Sequence, residues 1–353
     1  MTSRVTLVIP TLNRPEFLRR QLAYYRQMGF AGDILVADSS EQAGFQSTSH
    51  WMNEFASHLT VRHYHLPKLS FAGAIRELTK EVRTPYVAVI PDDDFLIPSG
   101  IAQCADFLDK DDGYIAAHGL GIVIYSSDSG TNHISAAGYY PQPVLSDDPA
   151  SDRVINHVRN YSVTFFSTHR TEIWVKVFEA TPSSKDSPLC CDRSFSDELL
   201  QCALTAAYGK IGQIDCLYLV RQDHNMRNWL PNWYQWLTSE KWRPSYLWYR
   251  DKVAAAICEV DDIPLQRAQG AVDSSLAEYL QKFIGARAEG AEGLVTRIRR
   301  VILHYLPGSG RAVLRQYRSR LGSRYISFEG LMDPVSPYHR DFLHIHNAVT
   351  RKP

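Results

Sequence analysis

The chain has 353 residues, 44% of them hydrophobic, with 38 basic and 38 acidic side chains, enough for one large domain or two small ones with a core not limited by size. The charge balance hides an asymmetry, 18 Lys and Arg against 12 Asp and Glu from Pro231 onward and 20 against 26 before it, which gives the two parts different jobs. Six cysteines without a C-x-x-C pair or zinc spacing exclude a disulfide framework and suit a reducing cytoplasm, and the lack of any 18-residue apolar window or signal-like start excludes a membrane span.

Apolar periodicity predicts, in chain order, a strand at 5–9, a helix at 14–28 stopped by Gly29, strands at 33–37 and 61–64, a helix at 71–82 and a strand at 86–90. A helix at 98–108 and a strand at 114–125 follow. Residues 126–149, rich in Ser, Gly, Asp and Pro, read as a long loop. The pattern resumes with a strand at 163–167, helices at 170–180 and 197–208, and a strand at 211–220. Beyond Trp229 the chain is helical and aromatic, then basic. The alternation implies an α/β, doubly wound, mostly parallel sheet flanked by helices, with a mainly helical C-terminal extension.

The run Pro91-Asp92-Asp93-Asp94-Phe95 ends the strand at 86–90. Adjacent carboxylates repel one another unless a cation or a set of donors holds them, and hard oxygen ligands suit Mg²⁺ or Mn²⁺. At the C-terminal end of a strand they would face the crevice where open α/β sheets bind ligands. The motif therefore indicates a metal-assisted site for a phosphate-bearing substrate; the alternative is an acidic turn capping the helix after Pro98. No G-x-G-x-x-G or P-loop pattern occurs.

The opening Val5-Thr6-Leu7-Val8-Ile9-Pro10-Thr11-Leu12-Asn13-Arg14-Pro15 resembles the first strand and loop of family 2 glycosyltransferases of the GT-A fold. Asp38-Ser39-Ser40 is similar to that family's strand-terminal Asp, which holds the base or ribose of a sugar nucleotide. Phe71 to Arg76 matches its small-residue helix start with Arg, and the three aspartates stand at its D-x-D element. Ser196-Asp197-Glu198-Leu199-Leu200 through Gly209-Lys210-Ile211 resembles its acidic pair, helix and Gly-Lys turn. The resemblance covers roughly residues 1–225. It implies a nucleotide-sugar site of Thr11, Arg14, Asp38, Lys68, Arg76 and Asp92, and Mn²⁺ or Mg²⁺ on Asp93, Asp94 and His224, with Asp223 a weaker ligand. Aligning Pro98 with the Pro that usually follows the acidic element makes Asp93 the leading ligand; an unshifted register pairs Asp92 with Asp94. Asp197, with Glu198 second, is the implied catalytic base.

A sugar–diphosphate bond breaks with negative charge building on the phosphate, which a divalent ion neutralises, while a carboxylate on the opposite side takes the proton of an acceptor hydroxyl. One direct attack implies inversion at the anomeric carbon. The donor, with a UDP-sugar favoured, would occupy residues 1–112 of a catalytic domain spanning 1–228. The acceptor, a glycan, a lipid-linked species or another hydroxyl compound, would meet residues 113–228. Alternatives are a sugar-nucleotide nucleotidyltransferase, which usually carries a Gly-rich loop that Thr11 to Pro15 lacks, and a non-catalytic sugar-binding or membrane-recruited module.

Residues 229–353 form the second region. Its stretch 294–325 carries eight arginines and no acid among aliphatic residues, a composition that lies on anionic membrane surfaces or packs its apolar stripe on the protein. Hence a peripheral position on the inner face of a membrane is one expectation. No recognised module makes nucleic acid a partner. The aromatic stretch 228–249 suits a core, an interface or a sugar-stacking wall. His118, His133, His157 and His169 show no ligand spacing. His344 and His346 are two apart, so a strand would present them on one face.

Overall fold

The computed structural model describes residues 4–126, 134–182, 193–224, 237–288 and 326–350. Its strands are β1 (Val5–Thr11), β2 (Asp33–Asp38), β3 (Thr60–His65), β4 (Tyr86–Val89), β5 (Phe95–Leu96), β6 (Tyr114–Ser126), β7 (Ile134–Tyr140), β8 (Thr168–Arg170) and β9 (Lys210–Asp223). They form one sheet in the order β3-β2-β1-β4-β8-β6-β9-β5, with β7 paired to β6. The first four strands are parallel, as is β6 with β9. Antiparallel joins occur at β4-β8, β8-β6, β6-β7 and β9-β5.

All seven residues of β1 are buried, as expected of a central parallel strand covered on both faces. After β1 the chain moves outward through β2 and β3, then returns to β4 on the other side of β1. That reversal opens a crevice beyond the C-terminal ends of β1 and β4, where doubly wound sheets bind ligands.

The helices are α1 (Pro15–Gln27), α2 (Gln42–Met52), α3 (Phe71–Leu78), α4 (Pro98–Lys110), α5 (Ala150–Arg159), α6 (Thr171–Glu179) and α7 (Leu200–Tyr208), with α8 (Trp242–Asp261), α9 (Leu265–Ala288), α10 (Phe328–Met332) and α11 (His339–Thr350) in the C-terminal part. Gly29, with φ of 62°, follows the end of α1, the left-handed conformation that glycine adopts freely. Gly100 lets α4 press onto β9, since a Cβ there would sit 2.6 Å from the Leu217 carbonyl oxygen. α8 and α9 pack on α5 and α7, and α11 packs on α1, so their apolar residues join the core of the sheet. No described helix is long and apolar enough to cross a membrane.

Five features depart from the sequence reading. Residues 126–149 are not one loop, because β7 folds back on β6. The apolar stretch 163–167 turns instead of forming a strand, with Ser167 N–H donating to the Thr164 carbonyl at 3.0 Å, and the strand lies at Thr168–Arg170. Helices α2 and α5 were not anticipated; α2 buries only Thr48 and Met52 and has little apolar stripe to detect. Two-residue β5 exists only because β9 pairs with it. His344 and His346 lie on α11, not on a strand. The Arg-rich stretch 294–325, Trp229, Trp233, Trp236, His133, Cys190 and Cys191 lie outside the described residues.

Candidate active site

Thr11 ends β1, and the chain then turns through Asn13 at φ of 55°. Asn tolerates this left-handed conformation better than most residues with a Cβ, and its N–H donates to Ser40 Oγ at 2.7 Å. The turn delivers Arg14 to the first aspartates. Its Nη1 donates to Asp93 Oδ2 at 2.7 Å and its Nη2 to Asp92 Oδ1, while Thr11 Oγ1 donates to Asp92 Oδ2 at 2.6 Å. Asp92 is fully buried. Burial pushes its carboxyl up from the ordinary value, and Asp93 adds to that against the pull of Arg14. Burial acts on Asp93 in the same sense, but the His224 hydrogen bond and the Arg14 charge outweigh it and hold Asp93 well below the usual range.

The three aspartates have three different surroundings. Pairing of β5 with β9 brings residues 221–224 against the acidic turn. His224 Nε2 lies 3.1 Å from Asp93 Oδ2 and its ring stacks on Phe17 at 4.8 Å. Asp94 is turned away from the crevice: its Oδ2 accepts from Arg221 Nε at 3.0 Å and its Oδ1 from Gln222 N–H at 2.8 Å. Arg221 also lies over Tyr140 and Phe166, 4.9 Å from each ring centroid, and Arg20 donates to Gln222 Oε1 at 2.7 Å. Arg14, Arg20 and Arg221 thus neutralise three crowded carboxylates, as ionic groups in a low dielectric require.

A cleft of about 230 Å³ runs from this cluster to an opposite wall and is lined by Thr11, Arg14, Asp93, Arg193, Asp197, Glu198 and Arg221, with Leu12, Leu69, Phe71, Phe165 and Phe166 as apolar surface. The far wall is a π-helical turn, Phe195–Leu199, leading into α7. Such wide turns inside helices recur at functional sites, and this one lets consecutive residues Asp197 and Glu198 both reach the cleft. Asp197 Oδ2 accepts from Arg193 Nε at 2.9 Å, and its Oδ1 is buried with no partner among the described residues. Glu198 Oε1 accepts from Tyr161 Oη at 2.8 Å. Phe195 is packed by Trp242, Tyr246 and Tyr249 of α8, so those members of the aromatic stretch brace this turn.

Of the residues singled out from sequence, Thr11, Arg14, Asp93, Asp197 and Glu198 line the cleft, with Asp92 and His224 directly behind it. Asp38 is fully buried, with Oδ1 accepting from Ser40 N–H and Oδ2 2.9 Å from His63 Nε2, so its neighbour Ser39 lines the cleft instead. Burial alone would raise Asp38, but His63 and Ser40 bring it below the ordinary carboxylate value. Lys68 is exposed and not among the lining residues, and Arg76 donates to the Thr181 carbonyl at 2.7 Å. Sequence reasoning assigned no role to Arg193, Arg221 or Tyr161; Arg221 stands three residues before His224, but its partner Asp94 is 127 residues away.

The donor set fits a divalent cation in part. Asp93 supplies an oxygen at the cleft and His224 an imidazole directly behind it, a combination suited to Mn²⁺. Asp94 has both oxygens engaged elsewhere. Among the described residues no group of three His, Cys, Asp or Glu side chains is arranged for a metal, which leaves substrate oxygens and water to complete any coordination sphere.

No protein-family model matches the chain, and no curated protein matches it. Among solved structures, S. aureus TarS residues 1–349 in complex with UDP-GlcNAc is similar over 82% of this chain and 75% of that one, with 14% identity and a TM-score of 0.50. The longer S. aureus TarS structure aligns over 79% of this chain with 13% identity and a TM-score of 0.48, and the chain spans only 43% of its length. The mannosyltransferase PcManGT from Pyrobaculum calidifontis, in complex with GDP-Man and Mn²⁺, aligns over 88% of this chain and 83% of that one with 11% identity and a TM-score of 0.40. The likeness to TarS 1–349 establishes a shared α/β fold: a parallel-cored sheet flanked by helices, followed by further helices.

Proposed function

We propose that the protein is a glycosyltransferase of the GT-A type that moves a sugar from a nucleoside diphosphate to an acceptor hydroxyl, with inversion. The observation that carries this reading is one cleft with Arg14 and Asp93 on one wall, His224 directly behind Asp93, and a carboxylate pair, Asp197 and Glu198, on the other wall. Thr11 and Arg14 hold Asp92 and Asp93 in place, and Arg14 and Arg221 supply positive charge for a diphosphate. Mn²⁺ or Mg²⁺, held by Asp93 and His224, would supply Lewis-acid neutralisation of the leaving diphosphate. The apolar lining at Phe71, Phe165 and Phe166 excludes water beside the reacting carbon. From the far wall a carboxylate takes the acceptor's proton, typically worth about 10²–10⁴-fold. The UDP-GlcNAc bound by TarS 1–349 and the shared fold support a nucleotide-sugar donor, with a UDP-sugar as the first to try.

The test is calorimetric titration of UDP, GDP, ADP, CDP and TDP into the protein, first with Mn²⁺ and then with EDTA. One diphosphate should bind with metal present, and Asp93→Ala should abolish that binding. If none binds with metal present, the transferase reading fails and a partner-binding module takes its place.

A further inference from the structure

We propose that Gln201 is a positioning residue for the far wall of the cleft, and that Thr181 and Arg76 extend its hold to α3, which lines the same cleft. The proposal rests on the transferase reading above and concerns what keeps its carboxylate pair, Asp197 and Glu198, in place.

Helix α7 is buried from Leu200 to Ala207, so a glutamine in its first turn needs partners that water cannot supply. The Gln201 amide nitrogen has two. Nε2 donates to the Ser196 carbonyl at 2.8 Å and to Thr181 Oγ1 at 2.7 Å. Turning the amide over would set Oε1 against the Ser196 carbonyl, acceptor against acceptor, so that carbonyl fixes which way the amide points. Oε1 is left buried with no partner among the described residues. An apolar chain of the same length would avoid stranding that oxygen, so the two bonds from Nε2 are what account for an amide here.

The carbonyl that Gln201 grips belongs to the peptide bond joining Ser196 to Asp197. It lies inside the π-helical turn, where the Leu200 N–H reaches back five residues to the Phe195 carbonyl. Gln201 therefore holds the wide turn at the peptide that leads into the carboxylate pair.

The other end of the chain is anchored outside α7. Thr181 stands just past α6, with its N–H donating to the Phe178 carbonyl at 3.0 Å and its own carbonyl accepting from Arg76 Nη1 at 2.7 Å. Arg76 belongs to α3, whose Phe71 and Ala74 line the cleft together with Asp197 and Glu198. Three hydrogen bonds in series thus run from α3 through Thr181 and Gln201 to the peptide before Asp197. Misplacing a catalytic group by 1 Å can cost about 10²-fold, and this chain sets where the pair stands. Arg76 acts on the site at one remove, without touching the donor.

The experiment measures nucleoside diphosphate release from UDP-GlcNAc and GDP-mannose, with water or an added sugar as acceptor, and calorimetric binding of UDP and GDP with Mn²⁺. The proteins are the wild type, Gln201→Met, Thr181→Val, Arg76→Met, Asp197→Asn/Glu198→Gln, and that pair combined with Gln201→Met, each checked for folding by its urea midpoint. Gln201→Met fills the same space without the donor. It should lower kcat about 10–100-fold, while the dissociation constant of the diphosphate that the wild type binds stays within about threefold. Thr181→Val and Arg76→Met should act in the same direction, by about 3–10-fold in kcat, and they decide the matter if Gln201→Met does not fold. In the Asp197→Asn/Glu198→Gln background Gln201→Met should cost nothing further, because a residue that acts through those carboxylates has nothing left to position. A residue that merely stabilised the fold would lower the urea midpoint and leave the kcat of folded protein unchanged. An unchanged kcat in any folded single variant, a further loss in the combined variant, or diphosphate binding that weakens as much as kcat falls would each overturn the proposal and leave the transferase reading intact. A wild type that binds no nucleoside diphosphate, or releases none, would overturn both.

Discussion

Two sets of buried arginines do different work in this molecule. At the site, Arg14 and Arg221 meet carboxylates of the acidic turn. In the scaffold, Arg153 donates to the carbonyls of Ala206 and Ala207 at the end of α7 and of Asp147 and Asp148 before α5, and Arg170 donates to the carbonyls of Leu108 and Asp111 at the end of α4 and of Tyr114. The scaffold pair satisfies helix-end carbonyls that would otherwise be buried without partners. The site pair instead gathers negative charge that gains nothing for the fold by itself, since a buried ion pair roughly offsets its own desolvation. Scaffold arginines should therefore govern stability, and the acidic turn should govern turnover.

The largest effect should separate them most cleanly. Asp93→Asn keeps the shape of the side chain and should lower turnover on the order of 10³-fold at a temperature where the variant is folded. A fall in the midpoint without loss of turnover would collapse the distinction. Arg153→Met should do the reverse, costing about 3 kcal/mol of stability through unsatisfied carbonyls, with the KM for a nucleotide sugar unchanged at a temperature where the variant is folded.

Acid should act on the scaffold first. His157 is buried with no hydrogen-bond partner for either ring nitrogen among the described residues, and burial lowers its pKa to about 4. The unfolded chain takes up a proton below about 6.5 that the folded chain refuses, so stability falls as pH drops from about 6.5 towards 4, by up to about 1.4 kcal/mol per pH unit. Urea midpoints between pH 7 and 5 should show this slope, and His157→Phe should reduce it, leaving the share of His169, whose pKa burial likewise lowers to about 4. The smallest expected effect probes the loop that carries Arg14. Asn13→Val should cost about 1–2 kcal/mol because it forces a β-branched residue into the left-handed region, whereas Asn13→Gly should be nearly neutral in thermal melts.

The far wall was only half legible in the sequence. Asp197 and Glu198 stood out as adjacent acids at a helix start, but their tethers did not. Tyr161 belongs to a segment with no regular element, 37 residues from Glu198, and nothing in local periodicity marks such a contact. The π turn is equally silent, since one extra residue in a helical turn leaves the apolar pattern almost unchanged. Helix α2 was invisible for a related reason: the sheet, not an amphipathic stripe, decides its place.

What the chain determined by itself is the parallel half of the sheet and one wall of the cleft. Apolar β-branched runs, the stop at Gly29, the Thr11 to Pro15 turn and the acidic run at 92–94 are local signals, and local signals are what periodicity and turn chemistry encode. Only the tertiary structure decided which aspartate faces the cleft. Three identical side chains in succession differ solely in what arrives from elsewhere: Arg14 and Thr11 at Asp92, Arg14 and His224 at Asp93, Arg221 and Gln222 at Asp94. Those partners come from segments between 78 and 131 residues away in sequence, and a carboxylate's charge and direction are set by the donors around it.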